Sequence, residues 1–207
     1  MILLGLPLFL IENSHKISCM KSIAIDDTGF AAGAHVIVSP NFDTRPAQEN
    51  GLPAEVRLIV IHNISLPPSQ YGGNGIIELF TNRLNPDEHP YYAEIYTRKV
   101  SSHFLIRRDG ELIQFVSCLD RAWHAGASSW QGLERCNDFS VGIELEGSDF
   151  DAFEPAQYQT LINLIAGLKQ RYVIQDIVGH SDIAPGRKTD PGPYFDWGKV
   201  STINAIQ

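Results

Sequence analysis

Cysteine is scarce in this sequence. Cys19, Cys118 and Cys136 are the only 3, an odd number without C-x-x-C spacing. That pattern argues against a disulfide framework and fits reduced thiols in a cytosol. Positive charge is also in short supply, with 16 Lys and Arg against 24 Asp and Glu and a net charge of −8. Nucleic acid and anionic membrane surfaces both reward clustered cations, so neither is expected as a partner. A small soluble substrate is the better expectation, and nothing calls for an obligate protein partner. Long hydrophobic runs are missing except at Met1–Ile11, which is shorter than the roughly 20 residues a spanning helix needs. It is a poor export signal too, because it has no basic n-region and no A-x-A-like site before Glu12. Residues 1–19 are therefore expected to lie outside the functional protein, with synthesis starting at Met20 and a cytoplasmic product. Internal repeats are absent.

The composition that is present, 43% hydrophobic and 19% charged over 207 residues, fits one soluble globular domain. The chain divides into a leader and arm at 1–38, a domain at 39–200 and a tail at 201–207. Residues 20–39 look irregular apart from a β-rich piece at His35–Val38, and Pro40–Pro53 reads as a turn-rich surface arm. Val56–Ile61 is a β-branched run expected as a buried central strand that delivers His62 at its end. A short helix is expected over 75–84, followed by a long aromatic loop at Asn85–Lys99. Val100–Ile106 and Glu111–Val116 flank an Asp109-Gly110 hairpin signal. In Ser140–Glu146 the residues alternate, with Val141, Ile143 and Leu145 facing one way and Gly142, Glu144 and Glu146 the other. Ala156–Tyr172 has helical spacing behind Pro155, and Asp176–Gly179 is a strand ending at His180. The pattern is that of a single α/β (α+β) domain with a mixed central sheet.

Three groups stand out chemically. His62 and His180 each follow a buried strand, and Asp190 lies in the loop after His180. Two imidazoles and a carboxylate make a suitable catalytic Zn²⁺ set, which leaves one position of four for water. The spacing alone leaves a structural role for each of them open. His89 and His103 read as structural, while Trp123 and His124 read as groove-lining, with a core role equally open for Trp123.

Four separated strings, VIHNISLPP at 60–68, AWHAG at 122–126, CNDFSVGIELEG at 136–147 and GHSDIAPGRKTDPGP at 179–193, closely resemble the zinc N-acetylmuramoyl-L-alanine amidases of AmpD type. The resemblance runs from about Ser39 to Trp197. It implies a mixed sheet flanked by helices, with a zinc site in a groove at the sheet's edge. It also implies His62, His180 and Asp190 as ligands, with Glu144 and Lys188 as catalytic residues. Asn63, Trp123 and Arg135 would then lie near the sugar, and Lys99 and Arg187 near the peptide carboxylates. The family usually has arginine where Lys99 stands, which removes bidentate carboxylate recognition there. The implied reaction is cleavage between the lactyl group and L-alanine of soluble 1,6-anhydro-N-acetylmuramyl peptides during cell-wall recycling.

These residues suit that chemistry. Zinc acidifies bound water and polarises a carbonyl, a strand carboxylate such as Glu144 can move protons, and Lys188 can meet a developing oxyanion. Two other functions compete. A peptidoglycan-binding module would lack a ligand, whereas all of them are present here. A glycosidase would use Glu144 and Glu146 as paired carboxylates, but would leave the histidines and Asp190 without a role.

Overall fold

The computed structural model describes residues 21–48 and 51–201; the expected leader and start site, Cys19 and most of the tail lie outside them. Six strands form the main sheet. In chain order β1 is His35–Val36, β2 Phe42–Thr44, β3 Leu58–Ile64, β4 Phe104–Ile106, β5 Leu112–Gln114, β6 Asp120–Ala122, β7 Ser129–Trp130, β8 Leu133–Glu134, β9 Ser140–Glu146 and β10 Asp176–Gly179. The helices are α1 Gly75–Phe80, α2 Pro90–Ile95, α3 Pro155–Arg171, α4 His180–Ile183 and α5 Trp197–Ser201. The sheet order is β1-β5-β4-β9-β3-β10, with β2–β6 and β7–β8 as separate two-stranded pairs. β4–β5 is antiparallel and every other neighbouring pair in the main sheet is parallel, so the sheet is mixed, as expected.

Parallel strands covered on both faces become near-continuous apolar runs, which accounts for Leu58-Ile59-Val60-Ile61. Ile59 and Ile61 join Val141, Ile143 and Leu145 against Leu161, Leu164, Ile165 and Leu168 of α3. Leu58 and Val60 face the other way, toward Cys136, Phe139, Val178 and Ile183. α3 starts where its sequence asks it to. Pro155 takes the first turn, and the Glu154 backbone N–H donates to Gln157 Oε1 at 3.0 Å.

Four local readings change. β3 extends to Ile64, so His62 is inside the strand rather than after it. The expected 75–84 helix stops at Phe80. The segment read as a loop at Asn85–Lys99 contains α2, because Pro90 sits at its first position and His89 Nδ1 accepts from the Tyr91 N–H at 3.1 Å. Residues expected as an arm are part of the core. Ile25 and Ala31 pack in the main cluster, and β1 pairs with β5. Their anchor is the Gln114 side chain, which donates to Gly29 O and accepts from the Ala31 N–H, both at 2.8 Å.

Candidate active site

The parallel run of β3, β9 and β10 brings the carboxyl ends of all three strands to one place. His62 lies opposite Glu144 in the β3–β9 register, and His180 follows β10 directly. Asp190 comes from the next loop, whose return is fixed by the Ser181 N–H donating to Asp190 O at 2.9 Å. His62 and His180 are buried.

Their ligand atoms form a small triangle. His62 Nδ1 is 2.9 Å from His180 Nδ1, and each is 3.0 Å from Asp190 Oδ2. The other ring nitrogens are spoken for. His180 Nε2 is 3.0 Å from Ala125 O, and since a carbonyl only accepts, the proton of His180 sits on Nε2. That leaves its Nδ1 as a lone pair facing a carboxylate oxygen, a contact between two acceptors that is favourable only with a cation between them. Burial reinforces this. It drives His62 down to about 4 despite the partly compensating pull of Asp190, so the imidazole itself resists supplying the charge. Burial acts to raise Asp190, yet its close contacts with the His180 and His62 rings hold it below the usual carboxylate range. The triangle admits an ion about 2 Å from each donor, the zinc–imidazole and zinc–carboxylate distance. Two imidazoles and one carboxylate around an open fourth position match catalytic zinc, and among the described residues this is the group able to hold a metal.

Glu144 is 7% exposed, and its Oε2 has no hydrogen-bond partner. Burial, and then the charge of Asp190, push its carboxyl well above the ordinary range, while Lys188 acts the other way. A buried carboxyl aimed into a cleft beside a metal site has the environment of a proton-transfer group. Glu146, two residues on, is differently employed. It pairs with Arg107 at 3.2 Å and accepts from the backbone N–H of Gly72 and Arg108. Its oxygens hold the fold, and the paired-carboxylate glycosidase loses its second carboxylate.

His62, His180, Asp190 and Glu144 floor a cleft of about 420 Å³, whose walls include Asn63, Tyr91, Arg98, Asp149, Phe150, Arg187 and Lys188. Lys188 is exposed there. Asn63 spends its amide N–H groups on Asp149 Oδ1 at 2.7 Å and Pro191 O at 3.1 Å, which joins two walls. Arg187 donates to Ala125 O and Ala127 O. Lys99, Trp123 and Arg135 are not among the lining residues of this cleft. Arg98, beside Lys99, is the one of that pair that lines it. Trp123 donates to Asp43 Oδ1 at 3.2 Å, and Arg135 pairs with Asp138 on a neighbouring cleft that it shares with Arg187.

Sequence reasoning missed the hydrogen-bond partners of the two candidate ligand histidines. His124 Nδ1 lies 2.9 Å from His62 Nε2, and the Ala125 carbonyl serves His180. The AWHAG string was the available signal, but it says nothing of what these residues touch.

A mixed sheet that gathers two histidines, a buried glutamate and an aspartate from the following loop at one end of its parallel strands presents the donor set that metal-dependent hydrolases use. Comparison with known proteins narrows this. The N-acetylmuramoyl-L-alanine amidase family profile matches residues 52–193, and the chain belongs to that family. It is 53% identical over 179 residues, 86% of this chain and 93% of the relative, to the 1,6-anhydro-N-acetylmuramyl-L-alanine amidase AmpD of Citrobacter freundii. The corresponding figure for AmpD of Escherichia coli (strain K12) is 51% over 179 residues, 86% of this chain and 95% of that one. A crystal structure of a selenomethionine AmpD derivative superposes with a TM-score of 0.80 at 50% identity, over 86% of this chain and 97% of that one. The amidase AmiD from E. coli, in complex with anhydro-N-acetylmuramic acid-L-Ala-D-gamma-Glu-L-Lys, matches at TM-score 0.56 and 32% identity over 76% of this chain and 60% of that one.

Proposed function

We propose that this chain is a zinc-dependent amidase that hydrolyses the bond between the lactyl group of 1,6-anhydro-N-acetylmuramic acid and L-alanine in soluble muropeptides. The observation that carries the reading is the acceptor triangle of His62, His180 and Asp190 with Glu144 in register beside it. The AmpD relatives, at about half identity over nearly their whole length, support the substrate.

His62, His180 and Asp190 would hold the zinc, which when bound supplies a Lewis acid and lowers the pKa of the attacking water. Glu144, with its unpartnered Oε2, takes the proton of that water and returns it to the departing alanine nitrogen. Its burial favours the proton-holding form relative to a solvated carboxylate. Lys188, on the cleft wall, sets an ammonium where negative charge gathers on the scissile carbonyl oxygen. Asn63 holds the wall by the sugar, and Arg187 with Arg98 offers guanidinium groups to the carboxylates of the stem peptide.

We assign the reaction to the cytoplasm, as part of cell-wall recycling. No helix among the described residues is long and apolar enough to cross a membrane. The test is incubation of zinc-loaded protein with anhydro-muropeptide and with intact sacculi, followed by mass analysis. Release of free stem peptide and anhydro-sugar from the soluble substrate is the expected result. Release of new sugar reducing ends would overturn the amide assignment.

A further inference from the structure

We propose that His124 is a positioning residue for the metal centre: it fixes the tautomer and ring plane of His62. The Ala125 carbonyl does the same for His180, so one short segment aims both imidazoles. The inference rests on the zinc reading above and concerns groups that do not touch the metal themselves.

The hydrogen-bond directions follow from chemistry. A ring nitrogen facing a cation must present a lone pair, so His62 Nδ1 is unprotonated and its proton sits on Nε2. His62 Nε2 then donates to His124 Nδ1 at 2.9 Å. With Nδ1 accepting, neutral His124 carries its proton on Nε2, which donates to Ser140 Oγ at 3.1 Å. A single chain of donors thus runs from His62 through His124 to β9. The two rings meet nearly edge-on, with centroids 5.0 Å apart and planes at 85°, so His124 fixes the plane of His62 as well as its tautomer.

The fold reserves the space for this ring. A Cβ at Gly142 would come within 2.5 Å of His124 Cγ, so only glycine at that position lets the imidazole lie against β9. The Gly142 N–H, drawn away from ladder pairing, donates to His103 Nδ1 at 3.0 Å. The segment itself is clipped from below. Asn137 Oδ1 accepts from the backbone N–H of both His124, at 3.3 Å, and Ala125, at 2.9 Å. Ala125 O accepts from His180 Nε2 and Arg187 Nη2. Partners that orient metal-bound imidazoles commonly change metal affinity by about 10- to 100-fold when removed. Here an imidazole fills the place more often taken by a carboxylate or carbonyl, which leaves the metal centre less negative than a carboxylate partner would.

The experiment measures zinc affinity by chelator competition, and the visible spectrum of the cobalt-substituted protein, for the unsubstituted chain, His124→Leu and His124→Asn. Leucine keeps bulk and removes the acceptor; asparagine restores an oxygen near the Nδ1 position. Expected is a loss of zinc affinity of about 10-fold or more in His124→Leu, substantial recovery in His124→Asn, and a cobalt spectrum altered in the leucine variant alone. Thermal melting of the metal-free forms separates this from a general packing defect, and Gly142→Ala should reproduce the leucine result. Zinc affinity within twofold in both His124 variants, with an unchanged cobalt spectrum, would overturn the proposal. Failure of the unsubstituted chain to bind zinc would instead overturn the functional reading.

Discussion

His62 and Glu144 are direct cross-strand partners: in the parallel β3–β9 ladder the buried imidazole and the buried carboxyl occupy the same rung. Their separation is therefore set by sheet geometry, the most rigid spacing the fold offers. Glu144→Gln keeps shape and packing while removing proton transfer. It should retain zinc and melting temperature and lower kcat by about 10²-fold or more. Steady-state kinetics on zinc-loaded protein checks this, and near-normal kcat would remove Glu144 from the mechanism.

Asp190 brings the only charge among the three donors. Asp190→Ala and His180→Ala should each abolish stoichiometric zinc, read by metal analysis after dialysis against weak chelator. Full zinc in either variant would contradict the assigned donor set.

Lys188 is exposed on the cleft wall, yet its charge reaches both Glu144 and His62. Lys188→Ala should cost about 10²-fold in kcat with little change in KM, as expected for a group that acts on charge developing in the transition state. An effect confined to KM would reassign it to substrate binding.

Arg98 and Lys99 are adjacent cations, but Arg98 is the one lining the cleft. Arg98→Ala should raise KM for peptides bearing the extra carboxylate of a diaminopimelate residue several-fold more than Lys99→Ala does. The reverse order would restore Lys99 as the carboxylate contact.

Acid stability should carry the signature of His103. Burial, then Arg45, hold its imidazole down to about 3, with the Asp120 carbonyl pulling the other way and His62 adding a weaker repulsion. An unfolded chain protonates the same group near pH 6.5. Its neutral form therefore gives full stability above about pH 6.5, and that contribution is lost as pH falls toward 3, at up to about 1.4 kcal/mol per pH unit. Denaturant titrations of zinc-loaded protein at pH 8 and pH 5 should show a smaller decline for His103→Gln than for the unsubstituted chain. Equal declines would show that other groups set the acid limb.

Much of this site was legible because it obeys local rules. The β-branched run before His62, the alternation in Ser140–Glu146 and the strand before His180 each announce an element, and their order fits a family pattern. What escaped depended on partners distant in sequence or on backbone groups. His124 finds His62 across 62 positions. The guanidinium of Arg45 is buried among the carbonyls of Cys118, Asn137, Asp138 and Ser140, and carbonyls carry no sequence signature. α2 was hidden because Pro90 and aromatic residues resemble a loop until His89 is seen to cap it. Which of Arg98 and Lys99 faces the cleft depends on how the chain leaves α2, a detail that composition does not encode.

Arg45 also has a bearing on modularity. The stretch shared with the wider family opens at residue 52, yet the guanidinium that ties together the backbone behind the catalytic groups comes from before it, as do Ile25 and Ala31 of the main core. The boundary of the family profile and the boundary of the folding unit therefore differ. A cassette cut at residue 52 for transplantation would carry His62, Glu144, His180, Lys188 and Asp190 and still leave behind part of what keeps them in place. Recombination that respects this protein must cut upstream of Ile25.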